Sequence, residues 1–172
     1  MKISPAIRLA FSFRYLLTAS IVLTLCTTTH AQSWVTVGSA DFSLDTTAYN
    51  SIAIDPSGTP YVVFEDAADS NKATVMKYNG SSWVTVGSAG FSSGMAVYTS
   101  IAIDRSGTPY VVYGDWIDSS KATVMKYNGS SWVYVGVPLF SMGKAMWTNI
   151  VIDSAGTPYV VYADFANSGA CM

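Results

Sequence analysis

"IDPSGTPYVV" at Ile54–Val63 returns as "IDRSGTPYVV" at Ile103–Val112 and as "IDSAGTPYVV" at Ile152–Val161. Asp55, Asp104 and Asp153 are 49 residues apart, and so are Trp34, Trp83 and Trp132, so everything between them is copied as well. A period of that length marks a repeated supersecondary unit. Within the phrase, the Asp side chain can accept backbone N–H bonds and Gly58 can supply the positive φ of a tight hairpin. Pro60 then opens the next strand, where a missing N–H does least harm.

The unit from Tyr49 to Gly87 holds "SIAI", "PYVVF", "ATVMKY" and "SWVTV", runs rich in β-branched and aromatic residues and separated by turn chemistry. Nothing in it has helical periodicity, so four antiparallel strands are expected. Asn79-Gly80 and Asn128-Gly129 are strong hairpin signals between the third and fourth runs. Both faces of the strands are apolar: Ile52 and Ile54 oppose Ala53, and Val62 with Phe64 opposes Tyr61 with Val63. A sheet covered on one face alone would alternate more cleanly. Four strands sandwiched on both sides by their own copies describe a β-propeller blade. The alternative is an immunoglobulin-like sandwich spanning two repeats, which leaves identical turns every 49 residues unexplained.

The joints after the second strand read "EDAADSNK", "GDWIDSSK" and "ADFANSGA". Those after the fourth read "GSADFSLDTTAY", "GSAGFSSGMAVY" and "GVPLFSMGKAMW". In an up-and-down sheet these variable joints emerge at one end and the fixed hairpin turns at the other. The pattern "VMKYNGSSWVTVG" resembles the second half of a kelch or galactose-oxidase-type blade of secreted bacterial proteins, in which a Tyr and a Trp flank the last hairpin. Tyr78 with Trp83 and Tyr127 with Trp132 carry that resemblance. "DPSGTPY" is similar to the Asp-box turn of sialidase-like propellers. The likeness spans residues 33 to 165 and implies an architecture, not an activity.

Residues 1–31 carry Lys2, Arg8 and Arg14, then the uncharged run "YLLTASIVLTLCTTT", then "THA". That is the layout of a signal peptide cleaved after Ala31, leaving residues 32–172 as the repeat domain of an exported protein, secreted, periplasmic or on the cell surface. The run is short for a membrane span, which needs about 20 apolar residues. Leu25 before Cys26 does not suit lipoprotein processing. Without the leader, six basic residues face eleven acidic ones, a net charge of −5, which repels nucleic acid and anionic membranes. His30 and Cys26 leave with the leader, so Cys171 is the one remaining thiol and no disulfide framework forms within the chain.

The expected strands number eleven: an outer strand at Trp34, two full blades, and two strands of a third that ends in "GACM" where "KATVMKY" is due. Closed propellers have about four to eight blades. The expectation is thus an all-β fold, a partial propeller of about three blades. Its ring is completed by a longer chain, favoured by the abrupt departure from the pattern, or by further copies.

Without a histidine in the exported chain, Ser-His-Asp and Cys-His mechanisms and imidazole metal sites are excluded. The carboxylates remain. Asp66, Asp115 and Asp164 recur at the end of the second strand, with Asp69 and Asp118 three residues on. They can cluster at the variable end, although loop capping explains short polar side chains there. Calcium on these oxygens is the metal alternative, without EF-hand spacing, and no cofactor is otherwise expected. Asp55, Asp104 and Asp153 are explained by the hairpin, the three tryptophans by packing between sheets, and the Asn-Gly-Ser sequons by the turn they sit in. Trp116, Phe165, Met95, Met142 and Trp147 lie in or beside the variable segments, where aromatic rings serve sugar or protein recognition. Tyr49, Tyr98 and Trp147 share one repeat position, which assigns Trp147 to inner-strand packing. The reading is a non-catalytic module that binds a carbohydrate or protein through Asp66, Asp115, Trp116, Asp118 and Phe165. Its alternatives are a carboxylate-dependent polysaccharide hydrolase or lyase, and a purely structural repeat of a larger surface protein.

Overall fold

The computed structural model describes residues 33–172, so the leader read from residues 1–31 lies outside the described residues. The sheets all fall within Thr36–Met172. The first is built from β1 (Thr47–Ile54), β2 (Pro60–Asp66), β3 (Lys72–Tyr78) and β4 (Trp83–Thr85). The second is built from β5 (Ala96–Ile103), β6 (Pro109–Asp115), β7 (Lys121–Tyr127) and β8 (Trp132–Tyr134). The third holds β9 (Ala145–Ile152), β10 (Pro158–Asp164) and the two-residue β11 (Ala170–Cys171). Neighbours in each sheet are antiparallel and in chain order, so every sheet is an up-and-down blade of a partial β-propeller. No sheet mixes strands of two repeats, which removes the sandwich alternative. The tally of strands is redistributed: the Trp34 segment is not a strand, and β11 gives the last blade a short third one. Among the described residues no helix is long and apolar enough to cross a membrane.

The recurring phrase does the same work three times. Asp55 Oδ1 accepts from the backbone of Ser57 at 2.8 Å and of Thr59 at 2.9 Å. Asp104 repeats this with Ser106 and Thr108, and Asp153 with Ala155 and Thr157. Gly58, Gly107 and Gly156 take φ of 88°, 86° and 87°, the left-handed region in which a Cβ is penalised. The turn pins the register, so Ile54, Ile103 and Ile152 face Pro60, Pro109 and Pro158.

Apolar residues on both faces of the middle sheet make two cores. Ile101, Val111, Tyr113 and Met125 pack against Tyr61, Val63, Ala73 and Val75 of the first sheet. On the other side Tyr110, Val112 and Val124 meet Ile150, with Ile152 and Val160 alongside. Hydrogen bonds lock the sheets at both edges. At the inner edge the Thr99 hydroxyl donates to the Tyr49 carbonyl and Thr148 to that of Tyr98. At the outer edge the indole N–H groups of Trp83 and Trp132 donate to the carbonyls of Val37 and Val86, each at 2.9 Å. Trp132 also stacks on Phe91 with ring centroids 4.1 Å apart and so locks the second sheet to the first. Trp83 instead holds the segment that precedes the first sheet, and Trp34, expected to pack between sheets like the other two, is exposed.

Candidate functional site

The inner strands do not run straight to the variable end. Between Ala48 and Ser51, and between Val97 and Ser100, the pairing slips, and the same slip falls between Val161 and Ala163 opposite β9. Each slip is a β-bulge, which turns one side chain out of the alternation and increases local twist. The residues in the bulges are Tyr49, Tyr98 and Trp147, with φ of 51°, 54° and 52°. A left-handed conformation costs an L-residue roughly 1–2 kcal/mol, and glycine would hold the bend without strain. Three bulky aromatic residues hold it here. Backbone strain of this kind is concentrated at functional sites, where it fixes the aim of a side chain.

The bulges aim their rings into one row. Tyr49 and Tyr98 have centroids 4.8 Å apart, Tyr98 and Trp147 6.1 Å, and Trp147 and Phe165 6.2 Å, all mutually tilted. The row therefore crosses all three sheets along their inner edge. Trp147 is 63 % exposed, Trp116 53 % and Phe165 48 %. The expectation that Trp147 packs within the inner strand is thus corrected: its ring is mostly exposed on the last sheet, whereas Tyr98 in the equivalent bulge of the middle sheet is half-buried. Burial and the neighbouring Tyr98 and Glu65 raise the Tyr49 phenol above its usual value, so it remains a neutral donor at ordinary pH.

Trp116 and Phe165 each open a 3₁₀ turn, Trp116–Asp118 and Phe165–Asn167, that follows the second strand of its sheet. Ala67 has the same place in the first sheet. Asp66, Asp115 and Asp164 cap these turns, their side chains accepting from the backbone of Ala68, Ile117 and Ala166. All three are buried. Burial raises the Asp115 carboxyl above the usual range, against the hydrogen bonds of Ile117 and Gly94 and the nearby Lys72. The crossover loops lie tightly on the turns: a Cβ at Gly143 would meet the Ala166 nitrogen at 2.5 Å. Asp118 is exposed and paired with Lys121 at 2.8 Å. Lys144, immediately before β9, places its ammonium 5.5 Å from the centre of the Trp116 ring, a cation–π contact.

Of the residues singled out from sequence, Trp116 and Phe165 stand exposed at the variable end, and Asp118 lies in the Trp116 turn. Asp66 and Asp115 are in the turns beneath, with little surface of their own. Among the described residues no three His, Cys, Asp or Glu side chains converge to hold a metal. The row has no local signature, because a bulge built on Tyr or Trp leaves no glycine in the sequence to announce it. The signal available was the aromatic identity of positions 49, 98 and 147 one period apart.

No protein-family model and no curated protein sequence matches the chain. Solved structures with a similar arrangement include a fucose lectin from Kordia zhangzhouensis in complex with methyl-fucoside, at 12 % identity and a TM-score of 0.48, covering 71 % of this chain and 87 % of that one. They also include an exo-β-1,3-galactanase from Clostridium thermocellum, at 15 % identity and a TM-score of 0.44, covering 69 % of this chain and 32 % of that one.

Proposed function

We propose that the chain is an exported, non-catalytic binding module that takes a carbohydrate along the aromatic row at its variable end. The observation that carries this reading is the row itself, three strained bulges that hold Tyr49, Tyr98 and Trp147 in line with Phe165. Aromatic rings present flat apolar faces with polar edges, which suits the apolar face of a pyranose flanked by hydroxyls. Rings about one sugar width apart suit a chain of several units better than a single one. The acidic balance of the exported chain disfavours polyanions, so a neutral glycan is the expected ligand class. Trp116, with Lys144 over its ring, and Asp118 extend the surface at the second sheet. Asp66 and Asp115 act beneath it as positioning residues, holding the turns that present Ala67 and Trp116.

A glycan array probed with the purified chain tests this directly. The expected result is retention of neutral oligosaccharides, lost on Trp147→Ala, with no reducing sugar released from the bound polymer. Absence of any glycan binding, or sugar release that Asp115→Ala abolishes, would overturn the reading.

A further inference from the structure

The sheets have a direction. Each presents a leading face to the sheet before it and a trailing face to the sheet after it, and the same repeat positions recur in both. Ile101 leads in the second sheet and Ile150 in the third, and they are 5 % and 3 % exposed. Their counterpart in the first sheet is Ile52, which is 65 % exposed, as is Ile54 beside it. Tyr61 with Val63 and Tyr110 with Val112 trail, the tyrosines 7 % exposed and the valines 0 %. Their counterparts in the third sheet, Tyr159 and Val161, are 56 % and 47 % exposed. One leading face, at its inner strand, and one trailing face thus stand open, while Phe64 and Thr74 on the outer part of that leading face are buried. The open residues are of the types that close on each other twice within the chain.

We infer that these two faces close on each other between copies: the trailing face of the third sheet docks on the leading face of the first sheet of a second copy. The occupant is argued from the two internal interfaces, which are its template. Each sets a trailing Tyr and Val against leading isoleucines, and in neither does a leading face meet a leading face. The third sheet is short at its outer side, but Tyr159 and Val161 lie on β10 and Val151 on β9, which are fully formed. A head-to-tail contact of this kind closes into a ring when its rotation permits and grows into a filament otherwise. Two copies of the described residues contribute six sheets, within the range of about four to eight that closes a propeller, whereas three copies exceed it. The expected assembly is a two-fold dimer with two equivalent interfaces.

Sedimentation equilibrium of the purified chain at micromolar concentration is expected to give twice the monomer mass. Ile52→Lys and Tyr159→Lys, both at open positions, are each expected to give monomers with an unchanged strand spectrum. An equimolar mixture of the two variants retains one unaltered pair of faces. It should therefore associate more strongly than either variant alone and more weakly than the parent. A monomeric parent chain overturns the inference. So does a loss of association in only one variant, which is the result of a like-to-like contact, or a mixture that stays monomeric. Should either variant lose its strand spectrum, Ile54→Ser and Val161→Ser replace the pair with the same expectations.

Discussion

At the hairpin end of the sheets, Asp55, Asp104 and Asp153 sit in the same turn and accept the same backbone bonds. At the opposite end, Ala67, Trp116 and Phe165 open the same 3₁₀ turn under the same aspartate cap, yet their side chains are a methyl group, an indole and a phenyl ring. Both ends repeat whatever the backbone requires. They differ in what remains once that requirement is met. At the hairpin end the repeated side chains are consumed by internal bonds. At the variable end the caps lie buried and the exposed positions are free to differ, so that is where a ligand can be specified without cost to the fold.

The contrast is tested most severely by Trp147→Gly. Removing the ring should weaken glycan binding by roughly thirtyfold, a hot-spot loss of about 2 kcal/mol. The same change relieves a left-handed penalty of about 1–2 kcal/mol against about 0.5–1 kcal/mol of added chain entropy. Calorimetry should therefore show a Tm equal to or above that of the parent while titration shows the weakened affinity. A fall in Tm together with affinity would mean that the ring serves packing. Asp104→Ala should behave in the opposite way. It strips three hydrogen bonds from the middle hairpin, and urea unfolding should report a loss of about 1–3 kcal/mol with glycan affinity unchanged.

The two ends should also respond to acid with opposite sign. The Ser57 hydroxyl, joined by the backbone of Thr59 and Ser57, holds the Asp55 carboxyl below its ordinary value. Burial works against Asp104, but bonds from Ser106 and Thr108 outweigh it; Asp153 is lowered by the backbone of Thr157. A lowered folded value contributes stability above the unfolded pKa of about 3.9, lost as pH falls through the folded values. The raised Asp115 carboxyl instead favours folding once protonated, a contribution present below the unfolded value and lost as pH rises through the folded one. Melting curves should thus hold or rise slightly on acidification from neutrality, then fall below about pH 4. Burial raises the Glu65 carboxyl as well, so Asp115→Asn should reduce the rise and leave the fall. Asp118→Asn is expected to change least, under about 1 kcal/mol in stability, since its pair with Lys121 is exposed.

How much of this was legible depended on where the constraint lies along the chain. The hairpin at Asp55 is local: donor, acceptor and the glycine that permits the turn lie within five residues, so its letters reveal its geometry. The strand runs and the apolar character of both faces gave the blades for the same reason. The bulge at Trp147 is not local. It persists because Thr148 on the same strand bonds the carbonyl of Tyr98 a whole repeat away, and no residue in the neighbourhood marks the positive φ. Hence the place of Trp147 on an inner strand, read from the sequence alone, points to packing. The carboxylates of Asp66 and Asp115 were visible as a recurring pair, while their burial beneath the crossover loops was not.

The amino-acid sequence by itself determined the 49-residue unit, its antiparallel strands and the hairpin that ends each first strand, because those follow from short-range periodicity and turn chemistry. Tertiary structure alone decided which way the inner-strand aromatics point and which broad faces stay open to water. Both are outcomes of how one sheet settles on the next, a contact between residues some fifty positions apart that no local pattern encodes.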